Sequence, residues 1–375
     1  MKKHIEGYSY KVVRKLHIQE LVYNMLSPFT RKTELDNPED ARRKLEHFSP
    51  DQGTSALRQN HILQPDWDLT IIIPAYNVEK YIETCLTSVL EQVTQYTYRV
   101  IVINDGSIDN TAKILERFRN HSILSIITQD NGGAARARNR ALESIRSRYV
   151  MFVDADDVLE PGAVEKLMYK AFELNSDIVE GAYYTFTDSG NKRHFTVCPP
   201  GEYQNPYGVI TGFTCMKVLK SELFQSVAFP EGYWFEDTLM AMLIFPQVQR
   251  VARINDVVYG YRTNPEGSTA RANLAPKSID SFWVTERLIL DIHSLGFTVT
   301  PKLYVQLLLQ CQICFSRTSA LPESVRQSIF VLACEMVKTY DQGYILEDRW
   351  FERLKQSLLD RNYGQYRLIC SLMAY

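Results

Sequence analysis

The sequence lacks any apolar run close to the ~18–20 residues that a membrane-spanning helix needs. Its first thirty residues are basic in character but contain no continuous apolar core, so we expect no signal peptide. Internal repeats and low-complexity tracts are missing as well. These absences argue against an integral membrane protein and against secretion.

Cysteine is sparse, with seven residues at scattered positions. An odd count with this spacing argues against a secreted disulfide framework. Cys311 and Cys314 form a single CxxC pair with no second CxxC or His pair nearby. We therefore interpret them as two buried thiols on a helix rather than a zinc site. A cytoplasmic, reducing environment fits this cysteine usage best.

The chain has no excess of either charge, with 42 Lys and Arg against 44 Asp and Glu. Nucleic-acid-binding proteins usually show a basic excess, so the composition argues against a nucleic-acid partner. A hydrophobic fraction of 45% is that of an ordinary soluble protein. At 375 residues the chain is long enough for two or three domains of the usual ~150 residues.

Three segments differ in their residue patterns. Residues 1–66 alternate short helical patterns with breakers and predict a helical extension, whereas residues 273–375 are helical throughout. Between them, residues 67–272 alternate helical patterns with the Ile- and Val-rich runs "LTIIIP", "YRVIVIN", "LSIITQ" and "YVMFVD". This alternation predicts an α/β fold with a mostly parallel sheet flanked by helices.

A polar cluster follows each of the four predicted strands. The clusters are residues 74–77, 104–107, 129–133 and 154–157. In open α/β sheets the ligand binds beyond the carboxyl ends of the strands. One such cluster is an ordinary turn signal, but four at four strand ends predict a ligand site.

Two of these clusters suit a phosphate ligand. Gly132 and Gly133 lead into an Arg-rich helical pattern, which favours an anion at the helix start, although a turn before a solvated basic face fits equally well. Asp154 and Asp156 lie two apart where a strand ends, and such carboxylates suit Mg²⁺ or Mn²⁺ bridged to phosphate. Asp157 is predicted to cap the following helix. We expect a divalent cation with a diphosphate attached.

Two known phosphate-binding motifs are missing. No Gly-Lys-Ser/Thr follows the glycine pair, and GxGxxG does not follow the first strand. A Walker loop and a dinucleotide fingerprint are therefore excluded.

Taken together, "IIIPAYNVEKYIETCLTSVLEQ", "VIVINDGSIDNT", "NGGAARARNRAL", "YVMFVDADD", "FPEGYWFEDTLM" and "YGYRTNPEGSTAR" resemble the family 2 glycosyltransferases, with their GT-A fold. The resemblance covers roughly residues 69–272 and is typical of enzymes of bacterial polysaccharide and glycan biosynthesis. It implies an inverting transfer of a hexosyl or N-acetylhexosaminyl group from a UDP-sugar to a hydroxyl of a glycan, lipid-linked or protein-linked saccharide. It also implies Mn²⁺ or Mg²⁺ as cofactor.

Matching motif positions imply the site residues. Those assigned to the nucleotide-sugar are Pro74, Tyr76, Glu79, Asp105, Asn131, Gly133, Arg138, Asp154, Lys217 and Arg271. Asp105 is expected to recognise the base, and Asp156, with Asp154, to hold the metal. Arg271 ends a segment, 268–271, that can close over the donor. Asp237 of the Glu236-Asp237 pair is the expected base.

Trp234 lies two residues before Glu236, the first residue of this acidic pair. It is a candidate for stacking on the acceptor sugar, with core packing as the alternative.

Two other functions share parts of this pattern. A nucleotide-binding module that has lost catalysis tends to lack the metal aspartate or the base, yet Asp156 and Asp237 are both present. A nucleotidyltransferase also uses a strand-end carboxylate pair and Mg²⁺. It needs a glycine-rich loop with Lys or Arg after the first strand, which "PAYNVEKY" lacks.

The first 32 residues also suggest a peripheral contact with the inner face of the cell membrane. Seven basic residues stand there against Glu6 and Glu20: Lys2, Lys3, Lys11, Arg14, Lys15, Arg31 and Lys32. Apolar residues that could form one face are Val12, Val13, Leu16, Ile18, Leu21, Val22 and Met25. Basic amphipathic segments bind anionic lipid, although packing on the α/β domain is an equal alternative.

Overall fold

A computed structural model describes residues 18–30, 33–60, 64–190, 192–195, 199–264 and 275–373. These residues form two compact units. The α/β unit holds the described residues of Gly53–Gly232 and Glu236–Pro265, and the helical unit those of Met1–Gln52, Tyr233–Phe235 and Glu266–Tyr375. The three-part division at 66/67 and 272/273 stays a prediction.

The α/β unit is built on one sheet. Its strands are β1 (Trp67–Ala75), β2 (Tyr98–Asp105), β3 (Leu124–Gln129), β4 (Ser147–Phe152), β5 (Val158–Leu159), β6 (Ile178–Phe186), β7 (Lys192–Phe195), β8 (Gly201–Tyr203), β9 (Lys217–Lys220) and β10 (Val251–Arg262). They lie in the order β3-β2-β1-β4-β9-β6-β10-β5, with β7 beside β6 and β8 beside β10.

The four predicted strands are all present and pair in parallel. Ile72 of β1 lies opposite Ile101 of β2 and Phe152 of β4, and β3 continues the parallel order beside β2. Strands later in the chain add antiparallel pairs, since β9 runs antiparallel to both β4 and β6. The sheet is therefore mixed, and its first half is the parallel part that the Ile and Val runs predict.

Four helices alternate with these strands along the chain. They are α3 (Ile82–Leu90), α4 (Thr111–Glu116), α5 (Gly133–Leu142) and α6 (Ala163–Leu174). In α3 the buried side chains recur three or four residues apart, at Ile82, Cys85, Leu86 and Val89. That spacing places them on one face of the helix, against the core formed with β1 and β2.

The helical unit contains seven helices of eight or more residues among those described. They are α1 (Gln19–Leu26), α2 (Pro38–Phe48), α7 (Asp280–Ser294), α8 (Pro301–Arg317), α9 (Glu323–Tyr340), α10 (Arg349–Leu359) and α11 (Tyr363–Met373). Cys311 and Cys314 are both buried on α8, as predicted, and burial raises the pKa of Cys314 to about 12. In the part of the chain that the structure describes, no helix is long and apolar enough to cross a membrane.

Candidate functional site

The predicted polar clusters meet at one edge of the sheet because their strands run in parallel. Ala75 at the end of β1 lies opposite Asn104 near the end of β2. Asp105, the next residue, lies opposite Gln129 at the end of β3. Asp154 comes two residues after the end of β4, which is the other neighbour of β1. The structure thus brings the four clusters to the carboxyl ends of adjacent strands.

Asp105 organises the loop that begins α5. Its buried carboxylate accepts hydrogen bonds from Gln129 Nε2 at 2.7 Å, Gly132 N at 3.0 Å, Gly133 N at 2.7 Å and Asn131 Nδ2 at 3.3 Å. Four donors use the acceptor positions of an ionised carboxylate. Base recognition by Asp105 stays a prediction, and the structure adds a second role for the same side chain.

The loop after β1 carries the residues predicted for the nucleoside pocket. Tyr76 is 48% exposed, and Pro74 lies half-buried at the strand end. Glu79 accepts hydrogen bonds from both the backbone and the side-chain amide of Asn110, each at 2.8 Å. Asn77, with φ of 52°, turns the chain in the left-handed region that Asn tolerates. The tyrosine ring is therefore available to a ligand, and the carboxylate fixes a neighbouring loop.

The loop that follows β4 is held by its last aspartate. Asp157 is buried and accepts from the hydroxyl of Tyr259 at 2.7 Å and from the backbone N–H of Arg262 at 2.6 Å. The predicted capping role of Asp157 is wrong. Helix α6 begins only at Ala163, after Gly162 with φ of 73°, and no side chain caps it.

Tyr259 and Arg262 fix the rest of this loop from β10. The Tyr259 hydroxyl also accepts from the backbone N–H of Asp154 at 3.1 Å, so one buried hydroxyl bridges both ends of the loop. Arg262 Nε donates to the carbonyl of Asp156 at 2.7 Å. Its guanidinium lies 4.6 Å from the ring centre of Tyr81 and 4.4 Å from that of Phe186. The sequence did not predict these roles of Tyr259 and Arg262, because their partners in the loop are about a hundred residues away along the chain.

Burial and neighbouring charge raise the pKa of two acids in this loop. Burial, and then the charge of Asp154, raises the pKa of Asp156, and the same two causes raise that of Asp157. A divalent cation would offset this repulsion. Among the described residues no group of three or more His, Cys, Asp and Glu is placed to hold a metal alone. The predicted Mn²⁺ or Mg²⁺ site at Asp154 and Asp156 stays a prediction.

Arg138 connects two of the predicted motifs. Its Nη2 donates to Asp154 Oδ1 at 3.0 Å and its Nη1 to Glu236 Oε1 at 2.5 Å. The arginine is buried and lies 5.4 Å from the ring centre of Phe229. Burial alone lowers the pKa of Arg138, but the charges of Glu236, Asp154 and Asp237 raise it above the ordinary value. The guanidinium therefore stays a cation between acids from two separate motifs.

The sequence of residues 70–225 matches the family described as Glycosyl transferase family 2. These residues are a family 2 glycosyltransferase domain. GlyA of Streptococcus pneumoniae, a glycosyltransferase, is 33% identical over 224 residues, which are 55% of this chain and 32% of GlyA. EpsJ of Bacillus subtilis, an uncharacterised glycosyltransferase, is 31% identical over 222 residues, 54% of this chain and 62% of EpsJ. The chain thus spans about a third of the first relative and under two thirds of the second.

The fold is shared with a solved glycosyltransferase structure. The crystal structure of residues 1–349 of TarS from Staphylococcus aureus superposes with a TM-score of 0.52 at 20% identity. The match covers 80% of this chain and 90% of that one. The GT-A fold implied by the family 2 motifs is confirmed.

The acidic pair after the family 2 match has two different environments. Glu236 is paired with Arg138, whereas Asp237 is half-buried and its backbone carbonyl accepts from Met240 N at 2.9 Å. That bond starts the turn before the π-helix Met240–Ile244. Spacing along the sequence alone could not distinguish these two acids.

Trp234 belongs to the helical unit, unlike the acidic pair that follows it. Its backbone N–H donates to Asp280 at 2.7 Å, and its ring meets that of Phe235 edge-on at 6.5 Å. The indole is half-buried. Its contact with an acceptor sugar stays a prediction.

Lys217 is not a free cation at the carboxyl ends of the strands. It is fully buried, with Nζ 2.6 Å from Glu180 Oε2 and 2.7 Å from the carbonyl of Thr211. Glu180 also lies 3.3 Å from Arg253 Nε. The predicted donor contact of Lys217 needs correction, because this ammonium serves a buried ion pair that joins β9 to β6.

Some predicted residues lie outside the described part of the chain. They are Arg271 with the rest of 268–271, and Lys2, Lys3, Lys11, Val12, Val13, Arg14, Lys15, Leu16, Arg31 and Lys32.

Proposed function

We propose that the chain is an inverting glycosyltransferase that moves a sugar from a UDP-sugar to a hydroxyl group of a saccharide acceptor. The observation that carries this proposal is the pairing of Arg138 with Asp154 and Glu236. One arginine contacts both Asp154, whose motif is expected to hold the donor, and Glu236, whose motif is expected to activate the acceptor. Together with the family 2 match of residues 70–225, that contact supports transfer rather than nucleotide binding alone.

A UDP-sugar is supported by what is known of proteins with this fold. TarS is named a poly(ribitol-phosphate) β-N-acetylglucosaminyltransferase. It is 28% identical to this chain over 227 residues, which are 59% of this chain and 39% of TarS. Its 1–349 fragment was crystallised with UDP-GlcNAc. We extend the donor class to this chain, with the acceptor a glycan or a saccharide carried on lipid or protein.

The proposed chemistry is a single in-line displacement. Asp237 accepts the proton of the acceptor hydroxyl while its oxygen bonds to the anomeric carbon of the donor. The bond from that carbon to the diphosphate breaks, and UDP leaves with the bonding electrons. One displacement inverts the anomeric centre, so an α-linked donor gives a β-linked product. Such general-base assistance typically contributes about 10²–10⁴ in rate.

The contact of Arg138 with Glu236 supports different roles for the two acids. Its bond to Glu236 occupies one oxygen of that carboxylate. Glu236 is therefore a positioning residue in this proposal, and the proton transfer is assigned to Asp237 because it stands at the motif position of the base.

Asp156, with Asp154, would hold the divalent cation. When bound, Mn²⁺ or Mg²⁺ supplies positive charge to the departing diphosphate. Tyr259 and Arg262 keep the carboxylate loop in place through its backbone and through Asp157. The loop is thus held by side chains of β10.

A donor panel with released UDP as the readout tests this function. UDP-sugars are incubated with the full chain, a set of saccharide acceptors, and Mn²⁺, Mg²⁺ or EDTA. We expect metal-dependent UDP release that Asp237→Asn removes. UDP binding without release from any pair would favour the inactive module, and pyrophosphate release from a nucleoside triphosphate would favour the nucleotidyltransferase; either outcome overturns the proposal.

A further inference from the structure

Helix α1 and the 3-10 turn Ser27–Phe29 that continues it carry a row of exposed apolar side chains. Their exposed fractions are 37% for Ile18, 58% for Leu21, 61% for Met25, 42% for Leu26 and 80% for Phe29. Leu21 and Met25 are four residues apart, so they lie on one side of the helix. We name these five residues the apolar stripe.

The opposite side of α1 is anchored to the helical unit. The ring of Tyr23 meets that of Trp350 edge-on at 5.7 Å and lies 4.0 Å from the guanidinium carbon of Arg353. Glu20 accepts two hydrogen bonds from Arg353, each at 3.0 Å. The helix is therefore held with the apolar stripe turned away from its own core.

This anchoring also removes an unfavourable charge. Glu20 is the single acidic residue of α1, and Arg353 and Arg349 neutralise it at 3.0 and 3.8 Å. An anionic surface would repel a carboxylate that lies next to it. Because Glu20 is paired on the anchored side of α1, this helix adds no such charge repulsion at the apolar stripe.

Single exposed apolar residues are ordinary, but a row of five within twelve residues marks an interaction surface. The charge of the surrounding sequence indicates the partner. Residues 1–32 contain seven Lys and Arg against two Glu, although the whole chain has a net charge of −2. In a dimer the sequence on both sides of the stripe would be basic in each copy, and like charges oppose self-association.

We propose that the apolar stripe docks on an anionic lipid surface, with Leu21, Met25 and Phe29 entering the boundary between headgroups and acyl chains. Amphipathic helices bind membranes in this way, through buried apolar area together with attraction of Lys and Arg to anionic lipid. This inference uses no step of the proposed reaction. Its test is therefore independent of glycosyl transfer.

The test is flotation of the full chain with vesicles of phosphatidylcholine alone or with added phosphatidylglycerol, at low and high salt. The variant Leu21→Gln/Phe29→Gln makes the stripe polar without touching Glu20 or Tyr23. The matched control, Val93→Gln/Ile345→Gln, alters two apolar residues that are 84% and 92% exposed elsewhere on the surface. Circular dichroism and thermal melting check that every protein is folded.

The parent chain should float with the anionic vesicles, and high salt should weaken that binding. Leu21→Gln/Phe29→Gln should lose about tenfold or more in partitioning, since two apolar side chains no longer leave water. The control should bind like the parent. The proposal is overturned if the parent ignores anionic vesicles, or if both double variants bind alike. A concentration-dependent dimer that Leu21→Gln/Phe29→Gln abolishes, without vesicle binding, would instead assign the stripe to self-association.

Discussion

Arg138 Nη1 lies 2.5 Å from Glu236 Oε1, in a buried pair that links helix α5 to the acidic motif after the family 2 match. The second nitrogen of the same guanidinium pairs with Asp154. A planar fork can serve two carboxylates at once, which a lysine ammonium on a flexible stem does less well. Arg138 is thus the residue on which the geometry of both motifs depends.

Arg138→Met should destabilise the protein by about 3–5 kcal/mol, because it leaves two carboxylates without their buried counter-charge. The matched control is Arg140→Met, two residues along α5, whose pair with Glu143 is exposed. A surface pair is worth only about 0–1 kcal/mol, so this variant should unfold like the parent. Urea denaturation measures both, and equal midpoints for the two variants would contradict the structural role of Arg138.

Asp237→Asn should lower UDP release by about 10²–10⁴ while UDP still binds, because the amide keeps the shape and loses the proton acceptor. Glu236→Gln also removes a charge next to Arg138, so we expect weaker folding together with a smaller loss of turnover. Calorimetry gives the UDP affinity, and UDP release with the acceptor gives the turnover. Near-parental turnover in Asp237→Asn would show that another group is the base.

Asp105→Asn tests the two roles of one carboxylate. An amide has one acceptor oxygen instead of two, so the backbone donors at Gly132 and Gly133 cannot both be satisfied as they are now. If Asp105 mainly holds the loop, UDP and GDP should both bind more weakly to the variant than to the parent. If it mainly reads the base, preference for UDP over GDP should fall. Asp130→Asn, on an exposed side chain of the same loop, should change neither affinity.

Asp156→Asn should remove the effect of metal on donor binding. In the parent, Mn²⁺ should strengthen UDP binding relative to EDTA, because it offsets both the diphosphate charge and the repulsion that raises the pKa of Asp156. In the variant the two conditions should give similar affinities in calorimetry. An unchanged Mn²⁺ effect would remove Asp156 from the metal site.

The sequence predicted those parts of the fold that depend on local pattern. Buried parallel strands need near-continuous apolar runs, so β1 to β4 could be predicted from their Ile and Val segments. The polar clusters could then be assigned to the ends of these strands. The placement of Asp105 and Asp154 at the same end of the sheet required only that β2 and β4 both run parallel to β1. These predictions succeeded because neighbouring residues determine them.

The remaining features depend on contacts between distant residues. Asp157 looked like a helix cap because a helix follows it, but Tyr259 and Arg262 take its carboxylate from β10. Lys217 looked like a donor contact because of its place before the acidic pair, but Glu180 of β6 captures it in the core. Spacing along the chain carries no information about such partners. The register shifts of β10 along β6, which help to place Tyr259, are equally invisible in the sequence.

A last prediction concerns stability, at a carboxylate away from the candidate site. Asp177, just before β6, accepts from Lys220 Nζ at 2.8 Å and from the backbone N–H groups of Gln249 and Arg250 at 2.8 and 2.9 Å. Burial raises the pKa of Asp177, but these three hydrogen bonds bring it below the ordinary value of 3.8. A carboxyl whose pKa is depressed in the folded state stabilises the protein above the unfolded pKa, and this contribution is lost as the pH falls through the folded pKa.

Asp177→Asn should therefore cost about 1.5–3 kcal/mol at neutral pH, the usual value of hydrogen bonds to a charged group. The gap in free energy of unfolding between parent and variant should begin to narrow as the pH falls to about 3.8, where the unfolded carboxyl protonates, and should close once the pH has fallen through the lower pKa of the folded state. Urea denaturation followed by circular dichroism across this pH range measures the gap. Asp66→Asn is the control, because its pair with Arg146 is exposed and should give a small difference at every pH. A gap for Asp177→Asn that stays constant down to the lowest pH would show that the charge of this carboxylate contributes nothing, and that its hydrogen bonds act only through their geometry.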